Sequence, residues 1–114
     1  MSEKKHLYVL WTNDNLETAD KMVFMYTINS LVQGWWRKAT LIIWGATAKL
    51  VSENTSIQEK IKDAQKAGVH VSACKACADQ LGVASDLEAL GIEVIYWGIP
   101  LTQILKDGEK LLTI

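Results

Sequence analysis

The residues best equipped for chemistry are the chain's two cysteines, in Ala73-Cys-Lys-Ala-Cys-Ala78. A thiolate is a strong nucleophile and a thiol is not, so reactivity follows whatever keeps the proton off. This stretch follows an apolar, β-branched run and precedes a helical pattern. That order puts Cys74 at the first turn of a helix, on the carboxyl edge of a sheet. Free amides and the positive end of the helix favour an anion there, and Lys75 adds a cation. Cys74 is therefore the expected low-pKa nucleophile. Cys77 lies one turn further on, within reach for thiol–disulfide exchange. Two small buried thiols fit the same pattern. A structural zinc needs four ligands, and only His70 is near, on a strand where convergence is poor, so no metal is expected.

Other residues converge on the same edge. Trp11-Thr-Asn-Asp-Asn15, Trp44-Gly-Ala-Thr47 and Trp97-Gly-Ile-Pro100 each follow an expected strand. Three tryptophans at three strand ends can wall a pocket that keeps water from a reactive sulfur, or can cap the core. Thr12, Asn13, Trp44, Gly45, Lys75 and Trp97 are the expected pocket residues, although Thr12, Asn13 and Asp14 equally suit the cap of the first helix. His6 and His70 fall in strands and read as satisfied, partly buried histidines. The chain has neither G-x-G-x-x-G nor G-x-x-x-x-G-K-[ST]. The Thr12–Thr18 loop has some likeness to a flavodoxin phosphate loop but lacks glycine. No cofactor is expected.

The elements that must position these residues are marked by seven glycines. Between them, Leu7–Trp11, Thr40–Trp44, Val69–Ala73, Ile92–Trp97 and Leu111–Ile114 read as strands. They are rich in Val, Ile, Tyr and Trp with little polar alternation, as strands covered on both faces are. Thr18 to Gln33 reads as a long helix stopped by Gly34. Ser56-Ile-Gln-Glu59 and Ser85-Asp-Leu-Glu88 are capping boxes opening helices that close at Gly68 and Gly91. Pro100 suits the first turn of a last helix ending before Gly108. Alternating strands and helices predict a three-layer α/β/α domain spanning residues 1–114, with a five-stranded, mostly parallel sheet. Met22-Val-Phe-Met-Tyr26 runs right round its helix. Part of that surface needs cover beyond the sheet: a wide core stripe would supply it, but with Trp35-Trp36 following, a subunit interface is the expectation.

With 114 residues the chain is large enough for one core without staples. Hydrophobic residues at 49% and charged residues at 22% exclude disordered and low-complexity classes. The net charge is -1, and Arg37 is the single arginine. That argues against nucleic acid and against an anionic membrane surface as partners. No apolar run approaches the ~20 residues of a membrane span. The polar start, Met-Ser-Glu-Lys-Lys-His6, does not read as a signal sequence. The expectation is a soluble, cytoplasmic protein, in which paired thiols are chemical rather than structural.

In order and spacing the chain resembles the DsrE/DsrF-like family of small intracellular sulfur-relay proteins. The likeness runs along nearly all of it: the opening strand into Thr12-Asn13-Asp14, then Ile42-Ile-Trp-Gly45 followed by Ala48-Lys-Leu-Val51. Next come the helix ending at Gly68, Val69-His-Val-Ser-Ala-Cys74, and Ala78 through Gly82-Val83. Gly91-Ile-Glu-Val94 and Leu101-Thr-Gln-Ile-Leu105 before Gly108 complete it. The resemblance implies a parallel three-layer fold and homo-oligomers, trimers or hexamers. In the family's sulfurtransferases a cysteine after the third strand, eight residues before a Gly-Val pair, carries a persulfide, and Cys74 stands in that place. Cys77 departs from the single-cysteine relay members, and Gln80-Leu81 stands where those members have arginine.

The leading expectation is a sulfur carrier or sulfurtransferase with sulfur donor and acceptor proteins as partners. Two others stand beside it: a dithiol redox or sensing protein using Cys74 and Cys77, and a non-catalytic interaction subunit.

Overall fold

The structure is a computed structural model that describes residues 4–114. Five strands form one sheet: β1 (His6–Trp11), β2 (Lys38–Ile43), β3 (His70–Cys74), β4 (Glu93–Ile95) and β5 (Lys110–Thr113). The order is β4-β3-β2-β1-β5 and every pairing is parallel. Each expected strand is present; β4 is the one most shortened.

Parallel neighbours need crossovers, and crossovers keep one hand. From β1 through β4 the chain steps steadily one way along the sheet, so its helices fall on one face. These are α1 (Leu16–Thr18), a π-helical stretch (Ala19–Phe24), α2 (Met25–Val32), α3 (Ala46–Glu53), α4 (Thr55–Lys66), α5 (Lys75–Leu81) and α6 (Ala84–Ala89). From β4 the chain returns across the whole sheet to β5, so α7 (Gly98–Lys106) falls on the opposite face.

Side chains alternate across a strand, and the two faces differ accordingly. Leu7, Val9, Trp11, Leu41, Ile43, Val71 and Ala73 point into the main core, against Val23, Phe24, Val51, Ile57, Ile61, Ala78 and Leu87. On the other face Ile42 joins Trp97 and Ile104, with Tyr8, Leu10, Trp44, Ile95 and Leu111 around them. The folded chain exposes 6392 Å², close to the roughly 6,200 Å² that its mass implies.

Local details depart from the sequence reading in four places. The first helical segment starts at Leu16, capped by Asn15, whose side chain accepts the Thr18 amide at 2.9 Å. Its π-helical stretch adds a residue per turn, which shifts the phase so that Val23 and Phe24 are both buried while Met22 and Met25 are exposed. Helix α4 is capped by Asn54, which accepts from the Ile57 amide at 2.9 Å, and Ser56 lies inside the helix. Helix α6 begins at Ala84 after Val83 with no side-chain cap, so Ser85 is not a capping residue. Helix α3 had no sequence cue. It starts at Gly45, whose φ of 69° and ψ of -129° suit glycine alone, and Thr47 braces it by donating to the Trp11 carbonyl at 2.8 Å.

Candidate functional site: the thiol pair at the carboxyl edge

Strand β3 runs on into α5 on the crowded face, and its neighbour β4 leads to α7 on the sparse one. Where adjacent strands send their connections to opposite faces, a crevice opens at their carboxyl ends. Cys74 is the last residue of β3, in register with Ile95, and its extended backbone (φ -68°, ψ 114°) makes it the N-cap of α5. Across the crevice stand Tyr96 and Trp97. Lys75 spans it, with Nζ 5.6 Å from the centre of the Tyr96 ring.

Cys74 is thus one residue earlier than the first helical turn, and only 4% exposed. Cys77 is half-buried, and neither thiol is in a disulfide. The expected low pKa is not what the surroundings produce. Burial pushes the Cys74 thiol up, and the neighbouring Cys77 thiol adds to the rise. The Ala76 and Cys77 amides act the other way but do not close a side-chain cap hydrogen bond. Lys75 does not offset the burial. Its ammonium is 3.1 Å from the Asp79 carboxylate one turn on, a partly exposed ion pair.

The other expected pocket residues divide. Trp97 is buried beside β3, and its indole N–H donates to Ser72 Oγ at 2.8 Å. Trp44 is half-buried on the same face, in the cluster that contains Trp97. Gly45 starts α3 at the end of β2, next to β3. Thr12 and Asn13 follow β1, and β2 separates that strand from β3. Thr12 donates to the Ile114 carbonyl at 3.0 Å and Asn13 accepts from the Asn15 amide at 2.8 Å, so both serve the turn. Trp11 is fully buried on the crowded face, edge-on to Phe24 at 5.3 Å, and walls no crevice. Two of the three tryptophans therefore share the Cys74 face.

Sequence reading missed the polar row below Cys74. Period-two alternation puts His70, Ser72 and Cys74 on one face of β3. Ser72 donates to Glu93 Oε1 at 2.8 Å, and the same oxygen is 3.3 Å from His70 Nε2. His70 Nδ1 reaches Thr40 Oγ1 at 3.4 Å, and Thr40 Oγ1 meets His6 Nε2 at 2.7 Å. The row crosses β1 to β4, and both histidines have partners; His6 is half-buried as expected, whereas His70 is exposed.

The sequence over residues 19–114 matches the DsrE/DsrF-like family. The chain belongs to the DsrE/DsrF-like family. A conserved protein of unknown function from Bacteroides thetaiotaomicron is 45% identical, with a TM-score of 0.95 over 96% of this chain and 95% of that one. The ychN protein of E. coli shares the fold at 18% identity and a TM-score of 0.72, covering 98% of this chain and 100% of that one. A protein of unknown function from Methanobacterium thermoautotrophicum shares it at 13% identity and 0.73, again covering 98% and 100%. No curated protein matches the sequence. Among the described residues no helix is long and apolar enough to cross a membrane.

Proposed function

We propose that this DsrE-like protein carries sulfur as a persulfide on Cys74. The observation that carries the reading is the place of Cys74: the end of β3, at the crevice between oppositely directed connections, with a second thiol one turn away. The burial of Cys74 keeps water off a persulfide. The Ala76 and Cys77 amides favour its anion, which is larger and more readily formed than the thiolate. A sulfur at this depth suits a small sulfane donor. Lys75 and Tyr96 frame the entrance, and Ser72 holds Trp97 in place.

The test uses an aryl thiosulfonate, which gives its outer sulfur to a thiolate and leaves as the sulfinate. Cys77→Ser isolates Cys74 and is expected to gain one sulfur by intact mass, while the Cys74→Ser/Cys77→Ser double variant gains none. A Cys77→Ser protein that stays unmodified removes Cys74 as the acceptor.

The protein is also proposed to work as a homo-oligomer, a trimer or hexamer. Met22, Met25, Val32 and Trp35 stay exposed along one helix and its end, Met25 by 53% and Trp35 by 60%. Apolar surface of this kind is costly on a lone chain. Light scattering at micromolar concentration is expected to give a multiple of 12.7 kDa, and a mass of one chain rejects it.

A further inference from the structure

The two thiols differ in depth and stand on different elements. Cys74 is fixed by the sheet and 4% exposed, and Cys77 rides half-buried on α5. Side chains three residues apart at a helix start lie about 5–6 Å from each other at Cβ, a span that small rotations bring to disulfide distance. The pair is close enough that the Cys77 thiol disfavours ionisation of Cys74.

We infer that Cys77 discharges the sulfur held on Cys74 as hydrosulfide, so that the pair reduces sulfane sulfur instead of passing it to an acceptor protein. The inference rests on Cys74 as the persulfide carrier. The Cys77 thiol gives its proton to the outer sulfur of the Cys74 persulfide anion and attacks Cys74 Sγ as the thiolate. A Cys74–Cys77 S–S bond forms, and the bond from Sγ to the outer sulfur breaks. That electron pair leaves with the outer sulfur, which departs as HS⁻. Two thiol sulfurs are oxidised to the disulfide and one sulfane sulfur is reduced to sulfide, so no other oxidant enters. An external dithiol then reduces the disulfide and resets the site.

Two features favour this route. A macromolecular thiol approaches poorly a sulfur that is 4% exposed, whereas Cys77 is already alongside. The direction of attack follows from leaving-group strength, since the weaker base leaves faster. Attack on the outer sulfur must expel Cys74 thiolate, which burial makes a stronger base than usual. Attack on Sγ expels hydrosulfide, a weaker base than an alkanethiolate.

An aryl thiosulfonate separates the two steps, because released sulfinate counts loading and released sulfide counts discharge. With one equivalent and no added thiol, the native protein is expected to release one of each and to end two hydrogens lighter. Cys77→Ser and Cys77→Ala are expected to release sulfinate only and to keep one added sulfur through desalting. If the native protein releases sulfinate but holds its sulfur as long as the Cys77 variants do, the inference is overturned and the Cys74 carrier stands. If neither Cys77 variant releases sulfinate, the carrier reading falls, and the discharge step falls with it.

Discussion

The two faces of the sheet are made by the same strands yet are built for different ends. On one face six α-helical segments and a π-helical stretch cover Leu7, Val9, Trp11, Leu41 and Ile43 completely. On the other, among the described residues, a single helix, α7, covers Ile42 and Trp97 and leaves Tyr8, Leu10 and Leu111 half-buried. The imbalance follows from the strand order β4-β3-β2-β1-β5, which sends three connections one way and one back. Stability is thus concentrated on the crowded face. The sparse face has room for hydrogen-bonded groups and for the sulfur at its upper edge.

Adjacent residues of β1 test that contrast most strongly. Trp11→Ala removes a fully buried indole from the crowded side and is expected to cost about 3–5 kcal/mol in chemical denaturation. Leu10→Ala, on the sparse side, is expected to cost roughly 1 kcal/mol because its side chain is already part-exposed. Equal losses would refute the division of labour between the faces.

A smaller effect concerns the crowded face alone. Asn54→Ala removes the α4 cap and is expected to cost about 1 kcal/mol, with Ser56→Ala near neutral. The opposite ranking, measured by urea unfolding of both variants, would restore Ser56 as the cap.

The smallest effect belongs to the sparse face. Burial first, then the Lys38 charge, lowers the His6 pKa below its ordinary 6.5; His70 adds to the lowering and Glu109 partly opposes it. The folded state therefore binds fewer protons at His6 than the unfolded state does. The stabilising contribution is present above pH 6.5 and is lost as pH falls through the folded value. The melting midpoint is expected to decline in that window, and His6→Gln to flatten part of the decline. Asp20, whose carboxyl is held down by Lys60, acts separately, below its ordinary 3.8. A decline unaltered in His6→Gln assigns it to other groups.

Much of the architecture is legible in residue pattern. The apolar runs ending at Trp11 and Trp44 are strands to within two residues, because β-branched and aromatic runs bounded by turn residues have few other uses. The Pro100 helix is likewise where its first-turn proline puts it. Helix α3 was not legible, since Ala46–Glu53 opens without a capping side chain and depends on Gly45 and on Thr47 reaching β1. The caps misled where two polar residues competed: Asn54 lies two residues before Ser56, and only the path of the chain chooses between them.

The sequence by itself determined the parallel α/β architecture, the pairing of Cys74 with Cys77 at one helix start, and the strand positions of His6 and His70. These rest on spacing, and spacing is local. Tertiary structure alone decided that Cys74 is buried, that Lys75 turns to Asp79 and Tyr96, and that the thiol pKa rises instead of falling. Desolvation depends on what the rest of the fold lays over an atom. Cys74 pairs in register with Ile95 of β4, more than twenty residues further along the chain.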